Sequence, residues 1–506
     1  MKETPVIDVN GAVGRLPRTG RGLDGAALAA EAARHGIGLV LAHSLRGALY
    51  DAVSGNLEAR AAAEAHPAIV PVATLDPRRH IGLEDEVEQL AKQGFAAVRF
   101  FPGRQGWSVG SQAFRRCLEA LAPYGLPVFI EAEGSVELGE AARVTGECGL
   151  PCVLVGLDYA VMAEGLAVAA RHSHVLLETH RLATPGAIRL AVNEIGPHRL
   201  LFGTGLPERP AGSALNAVRC AEISEDERRL VLGGAARRLM PLPDPRPAAP
   251  LGALDYAGRI VDVHAHLGEW PYPLAPVGVA DLEATCDRFR IDTVVISSVL
   301  AIKYDMQRGN AELAAAIEGR PRFLGYIVLD PNDLDGSYRE LDRWLGHPQF
   351  VGAKIHCEYA GCPTGSPEVR RLVAEVALRG VPLLIHNDGP DWLAALAALA
   401  AEHPTLPLIV AHGALPPYSV DQVCQVLRGS PKVYLEFAST FPVRGAIERA
   451  RALLGVERLL FGSDYNLIDP AYVLGTYASA ELAPAERIRI MHDNGWRLFR
   501  DPDRQG

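Results

Sequence analysis

Residues 6–14 read VIDVNGAVG and residues 260–268 read IVDVHAHLG. A phrase written twice at this distance constrains the fold more than any other feature, because it predicts a chain built from two versions of one domain. The agreement continues along both halves. YDAVSGN (50–56) matches YDMQRGN (304–310) and the LDP of 75–77 matches that of 329–331, all 254 residues apart. GLPVFIEAEG (125–134) parallels GVPLLIHNDG (380–389), and LLFGTGLP (200–207) parallels LLFGSDYN (459–466) at a separation of 259. A repeat this long is a duplicated domain rather than a short solenoid unit, and 506 residues suit two domains of about 250. Between the halves lies PLPDPRPAAPLGALDYAG (241–258), whose prolines oppose regular helix and favour an extended connector. The expected domains are therefore 1–240 and 259–506.

Within each half, short apolar β-rich runs alternate with amphipathic helical patterns such as SPEVRRLVAEVALRG. In the second half the strands are expected near 260–266, 293–299, 322–329, 350–357, 382–387, 407–412, 432–437 and 459–463. Eight βα units in about 250 residues predict an α/β fold of two tandem (β/α)8 TIM-type barrels. A doubly wound open sheet is the alternative, and it does not explain a count of eight. The repeated Gly-Asn pairs at Gly55-Asn56 and Gly309-Asn310 are expected to cap the following helices, and Asp8 and Asp262, present in both halves, to be structural.

Composition narrows the partners. Net charge is −10 without a block of like charge, which offers no electrostatic support for nucleic-acid or membrane-surface binding. No apolar stretch approaches the ~18 residues of a membrane span, and the start lacks the charged and apolar regions of a secretory signal. The eight cysteines follow neither a disulfide framework nor a paired CxxC zinc pattern. These features predict a cytoplasmic protein with reduced thiols and a small-molecule substrate.

Chemistry in a barrel belongs at the C-terminal ends of the strands. There the second half places His264 and His266 on strand one, Lys354 and His356 on strand four, His386 on strand five, His412 on strand six and Asp464 after strand eight. Three imidazoles and a carboxylate at one rim form a donor set for Zn2+ or a similar divalent ion with a position left open. Lys354 is one of only five lysines in a chain that otherwise uses arginine. Its amine can become a carbamate between two metals, stay cationic and bind a substrate carboxylate, or simply snorkel from a strand end. In the first half the matching positions hold Asn10, Ala12, Arg99, Phe101, Glu131, Gly156 and Gly205. Scaffold retained and chemistry erased predicts one active and one inactive barrel.

The motifs VDVHAHLG, VGAKIH, LLIHND, VAHGA and FGSDYN, in order over 260–466, resemble the amidohydrolase superfamily, specifically its amidohydrolase-related ("amidohydrolase 2") branch. The first half resembles it through its framework alone. The branch includes metal-dependent hydrolases, lactonases and non-oxidative decarboxylases. The resemblance implies that His264, His266, His386 and Asp464 bind one divalent metal, zinc before manganese. It also implies that His412 polarises substrate or shuttles protons beside the metal, and that Lys354 is unmodified and aimed at substrate with His356 nearby. The expected activity is hydrolysis of a small carboxylate, amide, ester or lactone, with Asp464 taking a proton from water. Decarboxylation of a small aromatic acid at the same site is the alternative, and a non-catalytic scaffold the third reading. Trp270, Tyr272, Glu358 and Tyr465 are further candidate substrate contacts. Since barrels of this branch pair, the inactive half is expected to act as a pseudo-subunit in an intramolecular pseudo-dimer, with further homo-oligomerisation open.

Overall fold

The computed structural model describes residues 6–500 apart from 18–20, 80, 133–136, 245–255, 257, 273–276 and 416. The chain divides into two compact units, Met1–Leu254 and Asp255–Gly506. Most of the expected connector 241–258 lies outside the described residues.

In the second unit the strands are β1 (Ile260–Leu267), β2 (Ile291–Ser298), β3 (Phe323–Leu329), β4 (Phe350–His356), β5 (Leu383–His386), β6 (Leu408–Val410), β7 (Val433–Glu436) and β8 (Leu459–Leu460). They form one parallel eight-stranded sheet in chain order. The sheet curves until its ends meet: Val263 N–H donates to Phe461 O at 3.0 Å and Asp464 N–H to His264 O at 2.7 Å. Helices link successive strands. The longer of the two between β4 and β5, Pro367–Arg379, starts on a Ser366 cap with proline in its first turn and stops at left-handed Gly380. It buries Val369, Leu372, Val373 and Val376, the three-and-four spacing of one helical face.

The lower barrel interior is apolar. Val261, Val263, Val295, Leu324, Tyr326, Leu384, Ile409 and Leu460 pack together and are closed off by Leu498 and Phe499 of the final helix. Strict alternation along β1 would send Val261 and Val263 to the face opposite His264 and His266. The register of β1 on β2 shifts between Asp262 and Ala265, so one strand supplies valines to the core and histidines to the mouth.

In the first unit, Val6–Arg15, Ile37–Ser44 and Ile69–Pro71 run parallel, with Gly22–Leu23 as an antiparallel edge. Ala73–Thr74, Val98–Phe100, Val128–Glu131, Cys152–Val155, Val175–Glu178 and Leu200–Leu201 form a six-stranded parallel sheet. Val72 N–H still reaches Ala42 O, Ala73 N–H reaches Ala97 O, and Val9 N–H reaches Phe202 O. The pairing of its first strand repeats that of β1 residue for residue. Ile7 faces Leu39 and Asp8 faces Val40, then the register shifts and Ala12 faces His43; Val261 faces Thr293 and Asp262 faces Val294, then the shift, and His266 faces Ser297.

Two expectations about repeated residues part ways here. Asp8 and Asp262 are structural. Asp262 accepts from Ser463 N and Oγ (3.0 and 2.5 Å) and from His264 N. Asp8 accepts from Thr204 N and Oγ1 (3.0 Å to the nitrogen) and from Asn10 N. Each carboxylate pins the first strand to the segment after the last. Asn56 and Asn310, in contrast, do not cap helices: they lie inside Ala52–Ala65 and Met306–Ile317, whose N-caps are Asp51 and Asp305. Their buried amides give and receive hydrogen bonds with the backbone of Thr74 and Val328. A side-chain amide has the same donor and acceptor as a peptide, so it can substitute for a strand neighbour. The preceding glycines allow the helix to come close, since a Cβ on Gly55 would sit 2.3 Å from Gly47 Cα and one on Gly309 2.2 Å from Ala301 N. Among the described residues no helix is long and apolar enough to cross a membrane.

Candidate metal centre

At the mouth of the second barrel, His264 Nε2, His266 Nε2 and Asp464 Oδ1 converge. The carboxylate oxygen lies 3.6 Å from the first nitrogen and 2.9 Å from the second. All three residues are buried. The other ring nitrogens are engaged: His264 Nδ1 lies 2.9 Å from Glu436 Oε1, and His266 Nδ1 lies 2.9 Å from Ser297 Oγ. A proton on each Nδ1 leaves the Nε2 lone pairs facing the carboxylate, the orientation a divalent cation requires. Burial holds both rings below the usual imidazole range; Lys354 adds to this at His264, and Asp464 partly offsets it at His266. Burial opposes the charge on Asp464, but its hydrogen bond to His266 and the surrounding cationic groups bring its pKa below the usual range. The donor set therefore suits a cation.

His386 and His412 form a second cluster beside it. His386 Nε2 lies 3.0 Å from Glu358 Oε2, His386 Nδ1 lies 3.1 Å from His412 Nε2, and His412 Nδ1 lies 2.6 Å from Ala438 O. Three contacts in a row need three protons, and two neutral rings carry two. If the protons sit on both Nδ1 atoms, the lone pair of His386 Nε2 points at the exposed Glu358 carboxylate. That contact is resolved by one added proton or by a cation at Nε2. The structure thus brings together three of the four expected ligands, and groups His386 with His356 and Glu358, whose donor atoms all lie within 4.8 Å of one another. His356 stacks on His386 and on Tyr359, with ring centres 4.0 and 4.2 Å apart.

Lys354 is fully buried, with Nζ 3.3 Å from His264 Nε2. Burial lowers its amine to about 8, against the pull of Asp464 and Glu436. Among the further candidates, Trp270 meets His266 with its ring nearly perpendicular and ties its indole N–H to Asn466. Tyr272 stacks on Trp270. The Tyr465 hydroxyl instead accepts from Thr285 Oγ1 on helix Val279–Phe289, which engages it away from the mouth.

Glu436, at the end of β7, was not among the expected residues. Its Oε1 accepts from His264 Nδ1–H and from His412 N–H (2.6 Å), and its Oε2 from Ala438 N–H (2.7 Å). Burial raises it to about 7. An acid closing an otherwise apolar strand was the available signal, and Glu178 repeats it in VLLETH.

Backbone shape matches too. His412 and Asp464 have φ of 66° and 57°, and Arg290, after helix Val279–Phe289, has 57°. The first unit holds Gly156, Gly205 and Gly36 at the matching positions, with φ of 85°, 75° and 69°. The left-handed region costs a side chain roughly 1–2 kcal/mol and glycine almost nothing. The second unit thus carries strain at two residues of its mouth that the first unit does not.

A family model described as Amidohydrolase matches residues 47–242 and 261–500. The chain is similar to gamma-resorcylate decarboxylase of Rhizobium sp. (strain MTP-10005), at 25% identity over 248 residues, 38% of this chain and 75% of that protein. Among solved structures it is similar to 2,6-dihydroxybenzoate decarboxylase from Rhizobium, at 19% identity and a TM-score of 0.39, covering 48% of this chain and 98% of that one. It is also similar to a probable 2-pyrone-4,6-dicarboxylic acid hydrolase from Acinetobacter baumannii, at 16% identity and a TM-score of 0.37, covering 48% and 99%.

Proposed function

Since the chain belongs to the amidohydrolase family and is an enzyme, we propose that its second unit holds one divalent metal and removes CO2 from a small aromatic carboxylic acid. His264, His266 and Asp464 would hold the ion, with His386 Nε2 as the fourth donor. Bound there, the ion supplies positive charge that orients a substrate oxygen and draws electron density away from the reacting carbon. The observation that carries this reading is Lys354, a fully buried amine beside the metal donors. Burial lowers its pKa from the ordinary amine range, which makes it a readier proton donor than an exposed lysine. The bond from ring carbon to carboxylate breaks, CO2 leaves, and the electron pair left on carbon takes the proton from Lys354 Nζ, which is regained from water. The likeness to a decarboxylase supports this direction of chemistry.

Hydrolysis is the second reading, favoured by Asp464. Kept as a carboxylate at the donor set, it can take a proton from water attacking a lactone or amide. The test is turnover by the full chain, stripped of metal and reloaded with Zn2+ or Mn2+, on hydroxybenzoates, lactones and amides. CO2 release that needs metal is expected. Ring or amide opening without CO2 from any acid favours hydrolysis, and no turnover at all by metal-loaded protein favours a scaffold.

We further propose that the two units are a tandem duplication, the first a (β/α)8 barrel that has lost its metal ligands. The repeated register shift, the aspartate pins, the asparagine clamps and the three shared left-handed positions support it. The first unit would serve the second as a built-in pseudo-subunit.

A further inference from the structure

The segment that ends β4, His356 to Tyr359, closes on His386 and touches it with a ring face. The rings of Tyr359, His356 and His386 stack in that order, with centres 4.2 and 4.0 Å apart and planes inclined by 20° and 13°. His356 occupies one face of Tyr359, so Lys303 Nζ, 3.5 Å from the centre of the Tyr359 ring, lies over the other. A cation and three rings thus form one column that ends on His386. We propose that His356 and Tyr359 are positioning residues, which fix the plane of the His386 ring and so aim its Nε2 lone pair at the ion. This rests on the reading of His386 as the fourth donor.

Distance alone groups His356 with His386 and Glu358 as a second set of donors, but two features oppose that grouping. A ring nitrogen offers its lone pair in the plane of the ring, and two planes only 13° from parallel, with centres 4.0 Å apart, do not meet on one ion. His356 Nδ1 is also engaged, accepting from Tyr359 N–H at 3.3 Å as the cap of helix Cys357–Ala360. A neutral ring that accepts at Nδ1 carries its proton on Nε2 and has no second lone pair to give. What His356 offers His386 is a flat surface, and the cap ties that surface to the short helix that carries Tyr359.

His386 needs such a surface. Its two polar contacts lie at the ring edge, from Nδ1 to His412 Nε2 at 3.1 Å and from Nε2 to Glu358 Oε2 at 3.0 Å. An ion at Nε2 takes the place of Glu358, which leaves His412 as the polar partner at the edge. A ring held at one nitrogen can tilt, and the stacked face supplies the missing constraint, as outer partners of a metal ligand commonly do. In the first unit Glu131 stands at the position of His386, so no ring there has to be aligned. Phe101 replaces His356 and lies on His43 at 5.1 Å with a tilt of 47°, and Leu49 precedes Tyr50 where Lys303 precedes Tyr304.

Cobalt(II) added to the metal-stripped full chain reads the donor set without turnover, because its visible absorption depends on the number and arrangement of its ligands. Tyr359→Leu and His356→Leu should each weaken cobalt binding about tenfold or more and change the band shape at saturating metal. Tyr359→Phe and His356→Phe keep a flat ring and should restore the wild-type band and most of the affinity. His386→Ala shows what loss of the donor itself looks like. If its band is that of wild type, the fourth donor is misassigned and the proposal falls with it. If His386→Ala changes the band while both leucine variants match wild type in band and affinity, the donor stands and the column does not position it. The proposal also fails if the phenylalanine variants behave like the leucine ones, since a ring face is then not what His386 requires.

Discussion

Asp464 and His412 hold side chains where the backbone would prefer none. The conformation is worth about 1 kcal/mol or more to glycine over alanine. Asp464→Gly is therefore expected to melt above Asp464→Ala by a few degrees while both lack activity, a pairing that separates backbone strain from lost chemistry. Lys354 makes a second prediction at this scale. Its Nζ competes for the His264 Nε2 lone pair, so Lys354→Met should keep or raise metal content, measured by elemental analysis. Turnover should nevertheless fall roughly hundredfold, as when a preorganised charged donor is removed. The residues at the mouth were legible as single letters because imidazole and carboxylate are rare at strand ends. Glu436 was missed because it recurs in both halves as Glu178 and so carries no contrast between them. The proton count on His386 and His412 was illegible, since it depends on which nitrogen faces which partner.

At the scale of elements, β7 supports the mouth through one carboxylate. Both oxygens of Glu436 accept from N–H groups, so Glu436→Gln must set an amide N–H against another donor. The expected cost is about 2–3 kcal/mol in stability and a 10–100-fold drop in metal affinity, checked by urea unfolding and metal titration. The strand pins titrate as well. Burial raises Asp8 to about 6 from 3.8. A carboxyl raised on folding stabilises below its unfolded pKa and loses that contribution as pH rises through the folded one. Relative to Asp8→Asn, wild type should lose about 1 kcal/mol of stability between pH 5 and pH 8. All eight strands of the second unit fall close to the expected segments because each is a short apolar run between turn residues. The register shift in β1 could not be read, since no letter marks the place where alternation slips. The asparagine clamps were read as caps because Gly-Asn before a helical pattern looks like a helix start, and only the fold shows that the helix began earlier, at Asp51 and Asp305.

For the whole molecule, the chain divides into two compact units, Met1–Leu254 and Asp255–Gly506. What the first unit does for the second lies beyond any pattern of letters. If it is a pseudo-subunit, residues 255–506 expressed alone should be poorly soluble or markedly less active than the full chain, measured by size-exclusion chromatography and turnover. A stable, fully active, monomeric fragment would count against that role. The glycines at 156 and 205 also bear on protein engineering. Their chain path already bends as His412 and Asp464 require, so placing metal donors in the first unit calls for new side chains and a displaced Arg209 rather than a redrawn backbone. Grafting donors there asks for side-chain chemistry alone, because the left-handed bends that would present them are already in the main chain.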